Sequence, residues 1–263
     1  APRRGRTVAR MSSMPARSAA QQGIVLDTSS LITEDGAPVD NIYSEKQMRL
    51  LTEPLYNTWG GPPPDELGAP RSFVAFADVG VFATLRDPPI VPDVLVSVDV
   101  SLPEEFRMSE HRSYFVWEFG KVPDVVIEVV SNREGEELDD KKRRYAKLRV
   151  PHYVVWDPDT ILGERRLHAF QLHGHIYRRS DACFVDALGL GLAVWRGRYE
   201  NVSYDWLRWV DAKGVPLPTG AEATGVERLR VEEADAKAKE ADAKAERLAA
   251  RLRALGVDPD GEA

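Results

Sequence analysis

Two apolar runs in this chain hold carboxylates. Val91-Pro92-Asp93-Val94-Leu95-Val96-Ser97-Val98 carries Asp93 near its head, and Val122-Pro123-Asp124-Val125-Val126-Ile127-Glu128-Val129-Val130-Ser131 sets Glu128 between two aliphatic residues. An ionised carboxylate left unpaired in an apolar interior is strongly unfavourable, so the pattern predicts that Asp93 and Glu128 share a cation, most simply a divalent metal. Two oxygens completed by water and a substrate phosphate suit magnesium or manganese, whereas zinc would want nitrogen or sulfur ligands. A metal so held activates water and neutralises a phosphodiester transition state. The chemistry these residues predict is metal-dependent hydrolysis.

The strand period decides which carboxylates can meet. Asp124, Val126, Glu128 and Val130 share one face, but Asp124 and Glu128 are roughly 13 Å apart along it, so the second ligand must come from a neighbouring strand. Asp93 is the natural donor. After Glu128 the chain carries Lys141, Lys142, Arg143, Arg144 and Lys147 on a helix, with Glu137, Lys141 and Tyr145 on one face. Lys141 then reads either as half of a solvent-facing Glu–Lys pair or as a cation over the carboxylates that orients the attacking water.

The elements that must position these residues follow from periodicity. Residues 43–56 read as an amphipathic helix through Met48, Leu51 and Leu55, with Ser44 as N-cap and Pro54 ending or kinking it. Residues 60–64, Gly-Gly-Pro-Pro-Pro, form a loop. Strands are predicted at 72–76, 79–85, 94–98, 114–119 and 125–130, the last a central strand covered on both faces. A helix over 136–148 leads to a strand at 153–156. That unit predicts a parallel, right-handed crossover beside the Glu128 strand. Residues 167–172 and 176–178 read as a hairpin about His173-Gly174-His175.

A chain of 263 residues with 43% hydrophobic and 29% charged residues holds one sizeable core and an appendage, with no apolar run suited to a membrane span. Cys183, the lone cysteine, excludes an internal disulfide and a cysteine-based zinc site within one subunit, and it suits a reducing cytoplasm. The net charge of -7 argues against indiscriminate coating of nucleic acid and leaves catalysis open. Residues 1–40 begin with Ala1, carry Arg3, Arg4, Arg6, Arg10 and Arg17, and read as a flexible tail or a start assigned upstream of Met11 or Met14. The catalytic domain is expected over 41–210, a linker over 211–225, a charged helix or coiled coil over 226–256, and a short tail over 257–263. Within the helix, Val231, Ala234, Ala238, Ala241, Ala245, Leu248, Leu252 and Leu255 follow in steps of three and four, which is a heptad seam open to homo-oligomer formation or a solitary charged helix.

The combination of 123–131, then Glu137-Leu138-Asp139-Asp140-Lys141 with Tyr145, then Val150-Pro151-His152-Tyr153-Val154-Val155-Trp156-Asp157-Pro158 resembles the Uma2 family in the PD-(D/E)XK nuclease superfamily. The resemblance covers about 43–209. It implies a restriction-endonuclease-like α/β fold, a mixed central sheet flanked by helices, and a magnesium- or manganese-dependent endonuclease acting on nucleic acid, DNA above all. It also implies that Asp93 and Glu128 are the two acidic positions. Val130 occupies the place where the simple motif has lysine, so the resemblance implies a lysine migrated to the helix at Lys141, in its Lys-three-residues-Tyr pattern, with Lys142 as the alternative. Glu45 on the first helix is the candidate extra carboxylate. The family's acidic-Gly entry segment and its histidine are only echoed, at Glu34-Asp35-Gly36 and Glu45.

Other residues read as structural. His173 and His175 suit a turn better than a zinc site. His111, His152 and His168 suit packing or polar roles, and Trp195, Trp206 and Trp209 suit core packing more than base stacking. Two further functions use the same residues: a non-catalytic nucleic-acid-binding or assembly module on a nuclease scaffold, and glycoside hydrolysis by an Asp–Glu pair, which the basic helix disfavours.

Overall fold

The structure, a computed structural model, describes residues 41–84, 87–102, 113–131 and 138–255. The arginine-rich start, the 34–36 segment, His111, Glu137 and residues 257–263 lie outside them.

Helix α1 (Ile42–Asn57) is capped by Asn41, whose side chain accepts from the Ser44 N–H at 2.9 Å. Ser44, expected as the cap, instead lies buried inside the first turn. Pro54 does not end the helix, because it falls in the last turn and its carbonyl still accepts from Thr58 and Trp59, each at 3.0 Å.

The central sheet has six strands in the order β1 (Phe73–Ala77), β3 (Val94–Val98), β5 (Val125–Val129), β6 (His152–Trp156), β7 (Leu167–His173), β8 (Ile176–Ser180). Strands β5 and β6 pair in parallel and the other neighbours are antiparallel, so the sheet is mixed. Every residue of β3 and β5 is buried, as a central strand with both faces covered requires. One face carries Val94, Val96, Val125 and Ile127 against Met48, Leu51 and Leu55 of α1. The opposite face carries Leu95, Val126 and Val155 against Tyr114, Tyr153 and Tyr145, the last from helix α3 (Asp140–Leu148). The sheet therefore separates α1 from α3.

Several expected boundaries move. Among the described residues of the expected 79–85 strand, β2 spans Val81–Phe82, and it pairs in parallel with β4 (Tyr114–Phe115). The 114–119 strand turns after Phe115 into a short helix, α2 (Val116–Phe119), which Gly120 closes at φ 73° in the left-handed region that glycine tolerates.

A second sheet of β9 (Phe184–Val185), β10 (Leu190–Tyr199) and β11 (Val202–Val210) goes unread in the sequence. The β10–β11 turn places Glu200 at φ 43° and Asn201 at φ 69°. Such a two-residue turn usually announces itself by Asn-Gly or Asp-Gly, and here the first position is a glutamate. The sheet contributes Leu192, Leu207 and Trp209 to the α1 side of the core. Trp206 and Trp209 are fully buried, and the Trp209 indole donates to the Leu51 carbonyl at 2.7 Å.

Helix α4 (Gly220–Ala254) starts six residues before the expected 226, because Thr219 and Glu222 form a reciprocal capping box at its N-terminus. The Glu222 carboxylate is also gripped by Arg208 at 2.7 and 3.0 Å, which ties the helix start to β11. None of the described residues of α4 is buried. Among the described residues, no helix is long and apolar enough to cross a membrane.

Candidate active site

Antiparallel pairing of β3 and β5 sets Val94 opposite Ile127. One step further along the same register, Asp93 stands opposite Glu128, the geometry in which cross-strand side chains share a face about 5 Å apart at Cβ. The Asp93 carboxylate also accepts from the Val129 N–H, and the Asp93 carbonyl accepts from the Asp78 N–H at 3.1 Å, so its backbone and its side chain are both tethered to neighbouring strands.

The Glu128 side chain is 1% exposed, although it ends in a charge-bearing group. Its two oxygens have separate donors. Oε1 accepts from the Tyr145 hydroxyl at 2.8 Å and Oε2 from Lys141 Nζ at 2.9 Å. Lys141 keeps 32% of its side chain exposed, so it links the buried carboxylate to the protein surface. Lys141 and Tyr145 reach the same group because i and i+4 lie on one helical face. The sequence pattern contained the Lys-three-residues-Tyr spacing but assigned the tyrosine no task.

Burial raises the Tyr145 phenol well above its usual range, and the charges of Glu128 and, more weakly, Asp93 push in the same direction. Tyr145 therefore stays a proton donor that fixes the orientation of Glu128. The influence of both carboxylates on one phenol agrees with their placement on one face of the sheet.

Two candidate residues are not brought to this site. Glu45 lies on α1, which packs on the Ile127 face of the sheet, and its carboxylate is held by Arg49 at 2.7 Å near the surface. The sheet stands between it and Glu128, so Glu45 is not brought to the Asp93–Glu128 pair. Lys142 is turned by one residue around α3 and lies over the Phe170 ring, 3.8 Å from its centroid. Burial, with Arg179 nearby, lowers its pKa. It is therefore not an alternative to Lys141 at Glu128.

The remaining polar candidates are structural in geometry. Asp124 accepts from Lys121 at 2.7 Å and from the Val98 N–H at 2.8 Å. His173 pairs with Ile176 across the β7–β8 turn, and His175 lies 3.3 Å from Arg149. His168 Nε2 contacts the Arg165 carbonyl at 2.8 Å and its Nδ1 lies 3.2 Å from Arg179, which fits a neutral ring donating through Nε2. Burial lowers the His168 pKa in the same sense.

Among the described residues, no three or more His, Cys, Asp or Glu residues gather into a cage. The oxygen pair Asp93 and Glu128 matches a hard cation that keeps several of its waters. On the same helix as Lys141, Arg144 donates to the Pro88 and Pro89 carbonyls at 3.3 and 3.0 Å. There Arg144 and Lys147 line a cavity of about 200 Å³ together with Val81, Asp87 and Ile90.

A mixed sheet flanked by helices, with a buried glutamate opposite an aspartate on the adjacent strand and a helix lysine on the glutamate, defines a restriction-endonuclease-like protein. The sequence profile of Uma2, described as "putative restriction endonuclease", matches residues 43–191. The chain belongs to the Uma2 family, and with it to a family of nuclease type. No curated protein matches the chain.

Proposed function

We propose that the protein is a metal-dependent endonuclease that hydrolyses phosphodiester bonds of nucleic acid, with DNA as substrate. The observation that carries this reading is the fully buried Glu128 on a central strand, opposite Asp93 and bonded to a partly exposed lysine. Asp93 and Glu128 would hold Mg²⁺ or Mn²⁺, which when bound supplies an activated water and neutralises phosphate charge. Tyr145 keeps Glu128 in one orientation. Lys141, with its amine at Glu128 Oε2, positions the attacking water and offsets negative charge developing on the phosphate. Arg144 and Lys147 offer cationic groups to the flanking backbone.

The same reading includes self-association through α4, whose apolar seam is exposed, and action in a reducing cytoplasm, on the strength of the lone Cys183. Burial pushes that thiol up to about 12, so it has little tendency to react as a thiolate.

The test is cleavage of supercoiled, linear and single-stranded DNA with magnesium or manganese, comparing wild type with Glu128→Ala and Lys141→Ala. Metal-dependent nicking lost in both variants supports the assignment, and full activity in Glu128→Ala overturns it.

Two observations favour a second reading, a non-catalytic nucleic-acid-binding or assembly module. Both oxygens of Glu128 already have donors within the protein, and Val130 replaces the lysine of the simple motif. That reading expects no metal-linked stabilisation, so a magnesium- or manganese-dependent rise in Tm counts against it.

A further inference from the structure

We infer that α4 pairs with α4 of a second copy of this chain in a parallel, in-register coiled coil. The inference rests on the self-association proposed for α4 and adds its orientation.

Helix α4 is 35 residues long with none buried, yet Val231, Leu248 and Leu252 on it and Leu255 at its C-cap are exposed. These belong to the seam of alternating steps of three and four, which from 231 to 255 runs about 36 Å along the axis. The four seam alanines between Val231 and Leu248 let two helices approach closely but bury little area, so the leucine end supplies most of the attraction.

Charge selects both the partner and the direction. Each first seam position is preceded by a cation: Arg230, Lys237, Lys244 and Arg251. The residues that follow the second seam positions Ala234 and Ala241 are Asp235 and Asp242. In a parallel pair the residue before the seam on one helix meets the residue five positions later on the other. Arg230 of one copy then faces Asp235 of the other, and Lys237 faces Asp242, on both sides of the seam. An antiparallel pair would instead set cation against cation and aspartate against aspartate. A second copy is thus complementary in one orientation and repelled in the other.

The helix start is fastened to the body by the Arg208–Glu222 pair, so parallel pairing brings both bodies to the same end of the coil. On the nuclease reading, this supplies two catalytic sites for the two strands of a duplex.

Sedimentation of the full chain is the test, with an expected mass twice the 29.4 kDa of one chain. Asp235→Lys with Asp242→Lys should halve that mass, and mixing with a chain carrying Arg230→Glu and Lys237→Glu should restore a one-to-one pair. In a Cys183→Ser background, Leu252→Cys should oxidise to a disulfide-linked dimer, since only parallel pairing sets that position against itself. A monomeric wild type overturns the pairing. A dimer that ignores the charge changes, or fails to link through Leu252→Cys, overturns the orientation. Glu128→Ala should sediment as the wild type does, so the pairing and the nuclease reading can fail separately.

Discussion

The tripeptide Pro-Asp-Val occurs at the head of both central strands, as Pro92-Asp93-Val94 and Pro123-Asp124-Val125, and the two copies meet different fates. Locally they do the same thing. Asp93 accepts from the Val129 N–H on β5, and Asp124 accepts from the Val98 N–H on β3, so each carboxylate caps the strand across from it. Antiparallel pairing sends them to opposite ends of the pair. Opposite Asp124 the register places Ser97, itself bonded to the Tyr114 hydroxyl at 2.9 Å, and Lys121 closes that end by reaching both Asp124 and the Val98 carbonyl. Opposite Asp93 stands Glu128, with Lys141 and Tyr145 upon it. One end joins a single carboxylate to an amine. The other gathers two carboxylates, the pair proposed to hold a divalent cation. The cross-strand partner, more than the motif, makes the candidate site.

The largest expected effect is that of Glu128→Ala, which should take DNA cleavage to background while circular dichroism still shows a folded protein; a cleaving variant would erase the distinction between the two ends. Lys141→Ala should lower the rate by about 10²–10³-fold, the scale of removing one preorganised charge-stabilising donor. Its neighbour Lys142→Ala, directed at Phe170, should stay within a few-fold of wild type. Equal losses in both would show that position on α3 does not discriminate them.

Asp124→Asn should behave in the opposite way. It leaves Lys121 without its carboxylate and should cost about 1–3 kcal/mol in urea unfolding, with cleavage per folded molecule unchanged. A loss of cleavage beyond the folded fraction would place Asp124 in the chemistry after all.

Metal should separate the ends in the same manner. Magnesium should raise the Tm of wild type and of Asp124→Asn but not of Glu128→Ala, by the linkage of binding to folding. The smallest change is expected for Tyr145→Phe, which removes the donor to Glu128 Oε1 and should cost about 1 kcal/mol of stability with a modest fall in kcat.

Much of the central sheet was legible because its signal is local. The uninterrupted Val and Ile of 125–129 mark a strand covered on both faces, and the strand–helix–strand order predicts the parallel β5–β6 pair that forms. Glu128 betrays itself by its aliphatic neighbours, and Lys141 by helical spacing. The β10–β11 hairpin was not legible, because its turn uses Glu200 where Asn-Gly or Asp-Gly would announce it. Nor was the position of Glu45 legible, since an amphipathic pattern shows that α1 covers the sheet without showing which face it covers.

The sequence by itself determined which residues are too charged for their surroundings, where the core strands of the central sheet and helices α1 and α3 lie, and which residues share a face within each of them, because these follow from side-chain chemistry and the periods of 2 and 3.6. Tertiary structure alone decided that Asp124 meets Ser97, that Tyr145 bonds to Glu128, and that Glu45 lies beyond the sheet. Those outcomes depend on strand register and on the side from which each helix packs, and both are set by contacts between residues distant in the chain.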